Sequence, residues 1–346
     1  MRLADLWYIS LALSLFSLLI MAGLIITRFF VERHKRKVAL ERSRIMPLLL
    51  DHSSDPSALS ERALSKGLLA DLTVELVQLV RGEDRDRFVD AATCGGVTAT
   101  LVRRLTRGSA RARATAAEAL AHFRGSDSTA ALHAALSDRN CEVRMAAALA
   151  LAETGREPPI EVLIERLGLG SMQISLLVTN LFQKIAERDP AQIEALITDN
   201  DVTINVKSAA VDALTSIRGF ALAPVVNALV MELDPDSPEL PKLIRALGLF
   251  QHPAGIPGVS FHLDSRFGWV RAAAAEAAGR IGMMESSSKL AAMLGDIDWW
   301  VRFRSGEALA RLGQSGIARL REASRRGIEP ARSAARLTLA ELGIER

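Results

Sequence analysis

The sequence contains few cysteines and few aromatic residues. Its 346 residues include two cysteines, Cys94 and Cys141, and a single tyrosine, and aromatic residues make up 5% of the chain. Two cysteines are too few for a disulfide scaffold or a four-cysteine zinc site. So few aromatic side chains also argue against a surface on which single-stranded nucleic acid stacks. Hydrophobic residues make up 49% of the chain, which excludes a wholly disordered protein.

Positive charge is concentrated in one short segment. The formal net charge is +3, yet residues 28–44 contain seven basic and two acidic residues, a local balance of +5. Residues 45–346 contain 35 basic and 37 acidic residues, a balance of −2. This slightly acidic body argues against nucleic acid as a partner, because duplex binding selects a basic face. The segment 28–44 is instead suited to contact with anionic lipid headgroups.

An uncharged, apolar run precedes the basic segment. Residues 6–27 read LWYISLALSLFSLLIMAGLIIT, and as a helix they would span ~33 Å, enough to cross a bilayer core. Trp7 and Tyr8 stand at one end and Phe29 and Phe30 at the other, as interfacial anchors do. A cleaved signal peptide would have its positive residues before a shorter apolar run and a small-residue cleavage site after it. We therefore predict an uncleaved transmembrane helix over residues 6–27.

The charges that flank this run predict its orientation. The positive side of a transmembrane helix stays in the cytoplasm, so residues 1–5 are expected outside it and everything after residue 28 inside it. Residues 28–60 then form a basic juxtamembrane segment and linker. The basic residues expected at the membrane interface are Arg33, Lys35, Arg36 and Lys37.

The rest of the chain contains an internal repeat. Val-Arg, an alanine-rich stretch, and a glycine eleven residues after the arginine recur with a period near 31 residues. The clear copies are VRMAAALALAETG at 143–155, VRAAAAEAAGRIG at 270–282, VRFRSGEALARLG at 301–313 and the related ARSAARLTLAELG at 331–343. Weaker copies lie at 112–125 and 206–219, where the glycine falls one position later, and degenerate copies lie near Arg85, Ser175 and Leu240. These copies indicate eight or nine repeats.

Each copy has the pattern of an amphipathic helix that ends at its glycine. In 301–313 the core-facing positions at helical spacing are Val301, Ser305, Ala308, Leu309 and Leu312. A second apolar stretch, SKLAAMLGD at 288–296, precedes this helix, so one repeat is a pair of helices. A helix pair buries its apolar face by stacking on neighbouring pairs. We therefore predict an all-α, right-handed α-solenoid over residues 61–346, with its strongest units at 127–155, 256–282, 286–313 and 316–343.

Residues 296–313 resemble a HEAT repeat of the short type also found in phycobilisome lyases. They follow D-x-D-x-x-V-R-x-x-(A/S)-(A/G)-x-A-L-x-x-L-G, and the resemblance covers roughly residues 105–346. It implies a ladder between stacked units, made of a turn aspartate and a basic residue six positions later. The matching pairs are Asp138 with Arg144, Asp201 with Lys207 and Asp296 with Arg302. Because the copies of Arg113 and Arg332 lack such an aspartate, we expect the ladder to be interrupted there.

The layout as a whole is similar to that of membrane-anchored bacterial HEAT-repeat proteins with a WWVR-type motif. That similarity implies a place beside a bacterial inner-membrane complex, one that handles envelope polysaccharide. The function implied is that of a scaffold or adaptor for a membrane-associated protein partner. A HEAT-like lyase, or another enzyme of the phycobilin-lyase type, is the alternative.

The sequence lacks the motifs of an enzyme site. HEAT-like deoxyhypusine hydroxylases hold iron with His-Glu dipeptides, and none is present. The six histidines also lack the i, i+4 spacing of a helical metal site, and each is expected to be a surface residue or a capping residue. A glycine-rich phosphate loop and a G-x-S-x-G motif are absent as well. We therefore expect no catalytic residue, no cofactor and no metal, and turnover by residues 45–346 alone would favour the enzyme instead.

A partner is expected on the face formed by the second helices of the repeats. The candidate contact residues on that face are Met145, Leu149, Glu276, Arg280, Phe303, Glu307, Arg311 and Leu337. They would suit an amphipathic helix or an extended peptide, or else they contact the neighbouring repeat. Trp299 and Trp300 begin a second helix, so we expect one to pack inward and Trp300 to be an exposed contact. The arginines of residues 319–336 are either a solvated face or a docking site for an acidic partner or the membrane surface.

Overall fold

The computed structural model describes residues 66–77, 79–170 and 175–344, together with isolated positions before residue 66. Most of the predicted membrane anchor and most of the basic segment, with Trp7, Tyr8, Phe29, Phe30, Lys35, Arg36 and Lys37, lie outside these residues. Arg33 is described, and it is helical and exposed. Among the residues described, no helix combines the length and the apolar character needed to cross a bilayer.

The chain divides into two compact units, Met1–Ala150 and Leu151–Arg346. The described helices of the first unit are α1 (Lys66–Val77), α2 (Glu83–Cys94), α3 (Val97–Arg107), α4 (Ala110–Leu120), α5 (Ser126–Ala135) and α6 (Cys141–Thr154), whose C-terminal end belongs to the second unit. Helix α1 packs against α2 and α3, and α3 packs against α4 and α5. Leu69, Leu101 and Leu120 are fully buried in the core of this unit.

The second unit contains the longer series of helices. They are α7 (Ile160–Leu167), α8 (Leu176–Ala186), α9 (Pro190–Thr198), α10 (Ile204–Glu232), α11 (Leu240–Phe250), α12 (Ile256–His262), α13 (Gly268–Ile281), α14 (Ser287–Met293), α15 (Trp299–Arg311), α16 (Gln314–Arg326) and α17 (Glu329–Glu341). Short 3₁₀ turns at Pro253–Gly255 and Met284–Ser286 precede α12 and α14.

Helices of the second unit stack in two rows. The second helices α11, α13, α15 and α17 pack one against the next, and α14 packs against α16 in the row of first helices. Within the pairs, α12 contacts α13, α14 contacts α15 and α16 contacts α17. The described residues contain helices and no strand, so the prediction of an all-α solenoid of helix pairs is confirmed for them.

Small residues let the second helices approach one another closely. A methyl group added to Gly279 on α13 would lie 2.5 Å from the Cα of Ala308 on α15, and one added to Gly306 would collide with the hydroxyl of Thr338. Gly248 makes the equivalent close approach one repeat earlier. These glycines cost helix stability in isolation, but here they allow backbone-to-backbone packing between repeats.

Helix α10 departs from the predicted repeat. The copy at 206–219 was expected to end at its glycine, and this expectation is wrong, because the helix continues through Gly219 to Glu232. One helix of 29 residues thus supplies the second helix of one repeat and the first helix of the next. Its second half packs on α12, where the side-chain oxygen of Asn227 accepts a hydrogen bond of 2.8 Å from the backbone N–H of Gly258. Pro224 lies within the helix and donates no backbone hydrogen bond there.

Candidate partner-binding site

A groove of about 380 Å³ lies between α15 and α17 in the second unit. Its apolar walls are formed by Trp299, Phe303, Pro330, Ala334 and Leu337. Its polar lining consists of Arg302, Glu329, Ser333 and Thr338. The groove therefore combines an apolar centre with a few polar groups, as ligand-binding grooves commonly do.

The start of α15 positions the aromatic side chains of this groove. The carboxylate of Asp298 caps the helix by accepting a hydrogen bond of 2.8 Å from the backbone N–H of Trp300. The ring of Trp299 stacks on that of Phe303, one turn later, with centroids 5.2 Å apart and planes 9° apart. Trp300 meets both rings edge-on, at 4.7 Å from Trp299 and 6.1 Å from Phe303. These three residues form the aromatic cluster.

Both tryptophans of the aromatic cluster are exposed to solvent. Trp299 is 49% exposed and Trp300 is 56% exposed, so the expectation that one of them packs inward is wrong. The inward direction of this turn is occupied by Val301, which is fully buried. Successive helical residues are rotated by about 100°, so the two positions before Val301 both point away from the core.

Glu276 on α13 is buried instead of facing open solvent. Its carboxylate accepts a hydrogen bond of 2.9 Å from Arg280, and it also lies 3.5 Å from Arg245 and 3.6 Å from Arg304. The side chain of Glu276 is 8% exposed, so the prediction that it points into a partner groove is wrong. A buried carboxylate is tolerated when it is paired, and these arginines come from α11, α13 and α15. We call Glu276 with its three arginines the carboxylate cluster.

Only some of the other predicted contact residues line the groove. Leu337, 47% exposed, and Phe303, half-buried, meet in the groove as the prediction requires. Glu307 pairs with Arg304 at 2.7 Å, which places it beside the carboxylate cluster, and Arg311 is exposed.

Two further predicted contacts, Met145 and Leu149, are half-buried on α6 in the first unit. Sequence reasoning missed Trp299 and Pro330 as groove residues. Pro330 occupies the position of the predicted contact Trp300 one repeat later, so the repeat spacing could have identified Pro330.

The aspartate–arginine ladder is present with a different pairing from the one expected. Asp138 accepts two hydrogen bonds of 2.8 Å from Arg113, the basic residue of the preceding repeat. The basic residue six positions after the aspartate binds the turn backbone instead: Arg144 donates to the carbonyl of Asp138 at 3.0 Å, and Arg302 to that of Asp296 at 2.8 Å. The expected interruption at Arg113 is therefore wrong.

Other positions of the ladder differ. Arg332 donates to the carbonyl of Gly327 and pairs with Glu329 at 3.4 Å. In the described part of the chain, neither Asp201 nor Lys207 takes part in an ion pair, although Lys207 is buried.

The ladder shifts the pKa values of its carboxylates downward. Hydrogen bonds from Arg113 hold the pKa of Asp138 below its ordinary value. Burial on its own would raise the pKa of Asp296, but the hydrogen bonds from Arg271 and from the backbone N–H of Asp298 outweigh it, and the pKa is lowered. Both aspartates are therefore ionised across the physiological range.

The described residues contain no group of three or more His, Cys, Asp or Glu side chains that could hold a metal ion. Cys94 and Cys141 are free and exposed. His252 caps a 3₁₀ turn, as expected, by accepting from the backbone N–H of Ala254. His262 is buried, with its Nε2 3.1 Å from the carbonyl oxygen of Val230, so the prediction of a surface or capping position is wrong for it.

The stacked helix pairs place the chain in the class of α-solenoid repeat proteins. Residues 98–172 and 257–340 match the family model of HEAT repeats, so these two regions contain HEAT repeats. The resemblance to HEAT repeats is thereby confirmed, whereas the lyase-like subtype is not specified by the match. A search of the curated proteins found no match.

Several solved structures are similar to the chain. Kap121p is 13% identical, with 81% of this chain and 38% of that chain covered, at a TM-score of 0.45. Importin beta is 15% identical, with 89% and 54% covered, at a TM-score of 0.44. An engineered protein is 18% identical, with 86% and 98% covered, at a TM-score of 0.39. The chain thus spans well under half of the Kap121p chain and about half of the importin beta chain.

Proposed function

We propose that this protein is a non-catalytic adaptor that binds a protein partner in the groove between α15 and α17. The observation that carries the proposal is the convergence of Trp299, Phe303 and Leu337, from two successive repeats, on one open apolar groove. Exposed tryptophans surrounded by apolar contacts are the side chains that most often dominate a protein interface. The partner is an amphipathic helix or an extended peptide that places an apolar side chain between Trp299 and Leu337.

We further propose that residues 6–27 anchor the protein in the bacterial inner membrane, with residues 28–346 in the cytoplasm. The uncharged run and the +5 balance of residues 28–44 support this orientation. Confinement to the bilayer raises the effective concentration of the groove for a partner in the same membrane. The similarity of layout to membrane-anchored bacterial HEAT-repeat proteins extends the proposal to a complex that handles envelope polysaccharide.

Crosslinking of the intact protein in native membranes, followed by mass spectrometry, tests the proposal. We expect a defined protein to be crosslinked to the groove, and we expect Leu337→Asp to remove it while the helical circular dichroism stays unchanged. Leu176→Asp is the matched control, because Leu176 is 89% exposed on α8 of the same unit and lies outside the groove. Equal recovery of the partner from the wild type and Leu337→Asp would exclude the groove as the site.

A further inference from the structure

The turns that precede α13, α15 and α17, together with the first residues of α13 and α15, carry exposed apolar side chains. Trp269 is 52% exposed, Ile297 95%, Trp300 56% and Ile328 68%. We call these four residues the turn ridge. Large apolar side chains exposed to this degree in neighbouring turns indicate an interaction surface.

The residues of the turn ridge belong to adjacent turns. Trp269 and Trp300 occupy the same position in consecutive repeats, and Ile328 lies one position later in its repeat than Ile297 does in the preceding one. The side chain of Ile328 reaches the preceding turn, because a methyl group added to Gly295 would lie 3.5 Å from its Cδ1. The ridge is therefore one continuous feature across three repeats.

Unpaired positive charge accompanies the turn ridge. Arg266 lies in the first of the three turns, and Arg325 and Arg326 end α16 immediately before Ile328. All three arginines are exposed, and within the described residues none of them forms an ion pair. Arg266 instead lies over the ring of Phe267, at 4.7 Å from its centroid.

Apart from Asp298, the acidic residues of the same turns already have basic partners. These pairs are Asp264 with Lys289, Asp296 with Arg271, and Glu329 with Arg332. Asp298 is engaged as the cap of α15. The free charge beside the ridge is therefore positive, and it complements an anionic surface.

We infer that the turn ridge docks the second unit onto an anionic lipid surface. Indole rings favour the boundary between headgroups and acyl chains, and arginines bind lipid phosphates. The protruding tips of Ile297 and Ile328 enter the apolar layer, whereas a peptide is better held by a groove than by a ridge. This inference goes beyond the adaptor function, and it depends neither on the groove nor on an N-terminal anchor.

Fluorescence quenching by brominated lipids tests the inference on the full chain. Of the four tryptophans, Trp7→Phe and Trp299→Phe leave Trp269 and Trp300 as the only emitters. The protein is mixed with, or reconstituted into, vesicles of acyl-brominated phosphatidylcholine, with or without an equal part of phosphatidylglycerol. We expect the ridge tryptophans to be quenched at least about twofold more strongly in the anionic vesicles, and the difference to disappear at high salt.

Charge reversal provides the matched comparison. Arg266→Glu with Arg325→Glu and Arg326→Glu should reduce quenching in anionic vesicles to the level in neutral ones. The control, Arg103→Glu with Arg107→Glu and Arg111→Glu, changes the net charge equally at exposed positions of the first unit and should leave quenching unchanged. Both variants are first checked for wild-type circular dichroism. Equal quenching in neutral and anionic vesicles, or none in either, overturns the inference and favours a protein as the occupant of the ridge.

Discussion

Arg271 binds Asp296 of the following repeat through two parallel hydrogen bonds, Nε to Oδ2 and Nη2 to Oδ1, each of 2.8 Å. The same guanidinium donates to the backbone carbonyl of Ser265 in its own turn, also at 2.8 Å. One side chain thus ties two successive turns together, and Arg113 with Asp138 repeats the arrangement in the first unit. This bidentate geometry fixes the register of one repeat against the next.

Replacing Asp296 with Asn should lower stability by about 2–3 kcal/mol, because Arg271 loses its paired charge in a mostly buried site. The side chains of Arg271 and Asp296 are 16% and 12% exposed. The change is measured as a shift of the chemical unfolding midpoint. Asp264→Asn is the control, since the exposed pair of Asp264 with Lys289 should contribute less than about 1 kcal/mol. Equal losses in the two variants would contradict the role of the ladder.

Acid should weaken the ladder. The folded pKa of Asp138 and of Asp296 is lowered, so each contributes stability that is present above the unfolded pKa of about 3.9 and is lost as the pH falls through the folded value. We expect the stability difference between the wild type and Asp296→Asn to be constant near neutral pH and to shrink below about pH 4. Thermal unfolding of both proteins across this pH range measures the difference in stability. A difference that grows as the pH falls would contradict the prediction.

Gly279→Ala should destabilise the second unit by about 1–3 kcal/mol, even though alanine favours helix formation by up to about 1 kcal/mol over glycine. The added methyl group has no space between α13 and α15, because it would lie 2.5 Å from the Cα of Ala308. Gly125→Ala is the control, since its nearest contact would be 3.8 Å and its backbone is extended. A stabilised Gly279→Ala variant would show that the close approach of the second helices is not required.

Glu276→Gln should cost about 2 kcal/mol or more, because three arginines then surround a neutral side chain. A double-mutant cycle with Arg304→Gln separates the free energy of the interaction between Glu276 and Arg304 from the cost of burying the Glu276 side chain. We expect the double variant to lose less than the sum of the single variants. Strict additivity would mean that Arg304 does not act on Glu276.

Of two reporters fused after Arg346, only the one that functions in the cytoplasm should be active. The reason is that residues 28–44 carry the positive charge that keeps this side of the helix in the cytoplasm. Paired fusions of alkaline phosphatase and green fluorescent protein measure this. Fusions at the same residue in a chain lacking residues 1–27 provide the control for the anchor. Phosphatase activity from the full chain would reverse the proposed orientation.

The repeat motif predicted the second helices well, because its signals are local. The copies at 270–282, 301–313 and 331–343 correspond to helices Gly268–Ile281, Trp299–Arg311 and Glu329–Glu341. Val301, for example, was placed in the core by helical spacing alone, and it is fully buried. Periodicity within one helix is sufficient for such a prediction.

Features that depend on contact between repeats could not be predicted in the same way. The partner of Asp138 is Arg113, 25 residues earlier, and a spacing of six within one turn suggested Arg144 instead. Glu276 is buried because arginines from neighbouring helices cover it, which the amphipathic pattern of α13 does not encode. The groove was half predicted, since Phe303 and Leu337 were chosen and Trp299 was not.

The continuous helix Ile204–Glu232 makes the unfolding of the second unit more cooperative than that of an ordinary repeat array. Linear arrays of repeats ordinarily unfold from an end, one repeat after another, because each repeat contacts only its neighbours. Here a single helix is shared by two repeats, and the hydrogen bond from Gly258 to Asn227 holds the C-terminal half of this helix against α12. Unfolding of either repeat interrupts this helix, so the repeats on both sides of it must unfold as one cooperative unit. Amide exchange should therefore report one rate for this helix and α12.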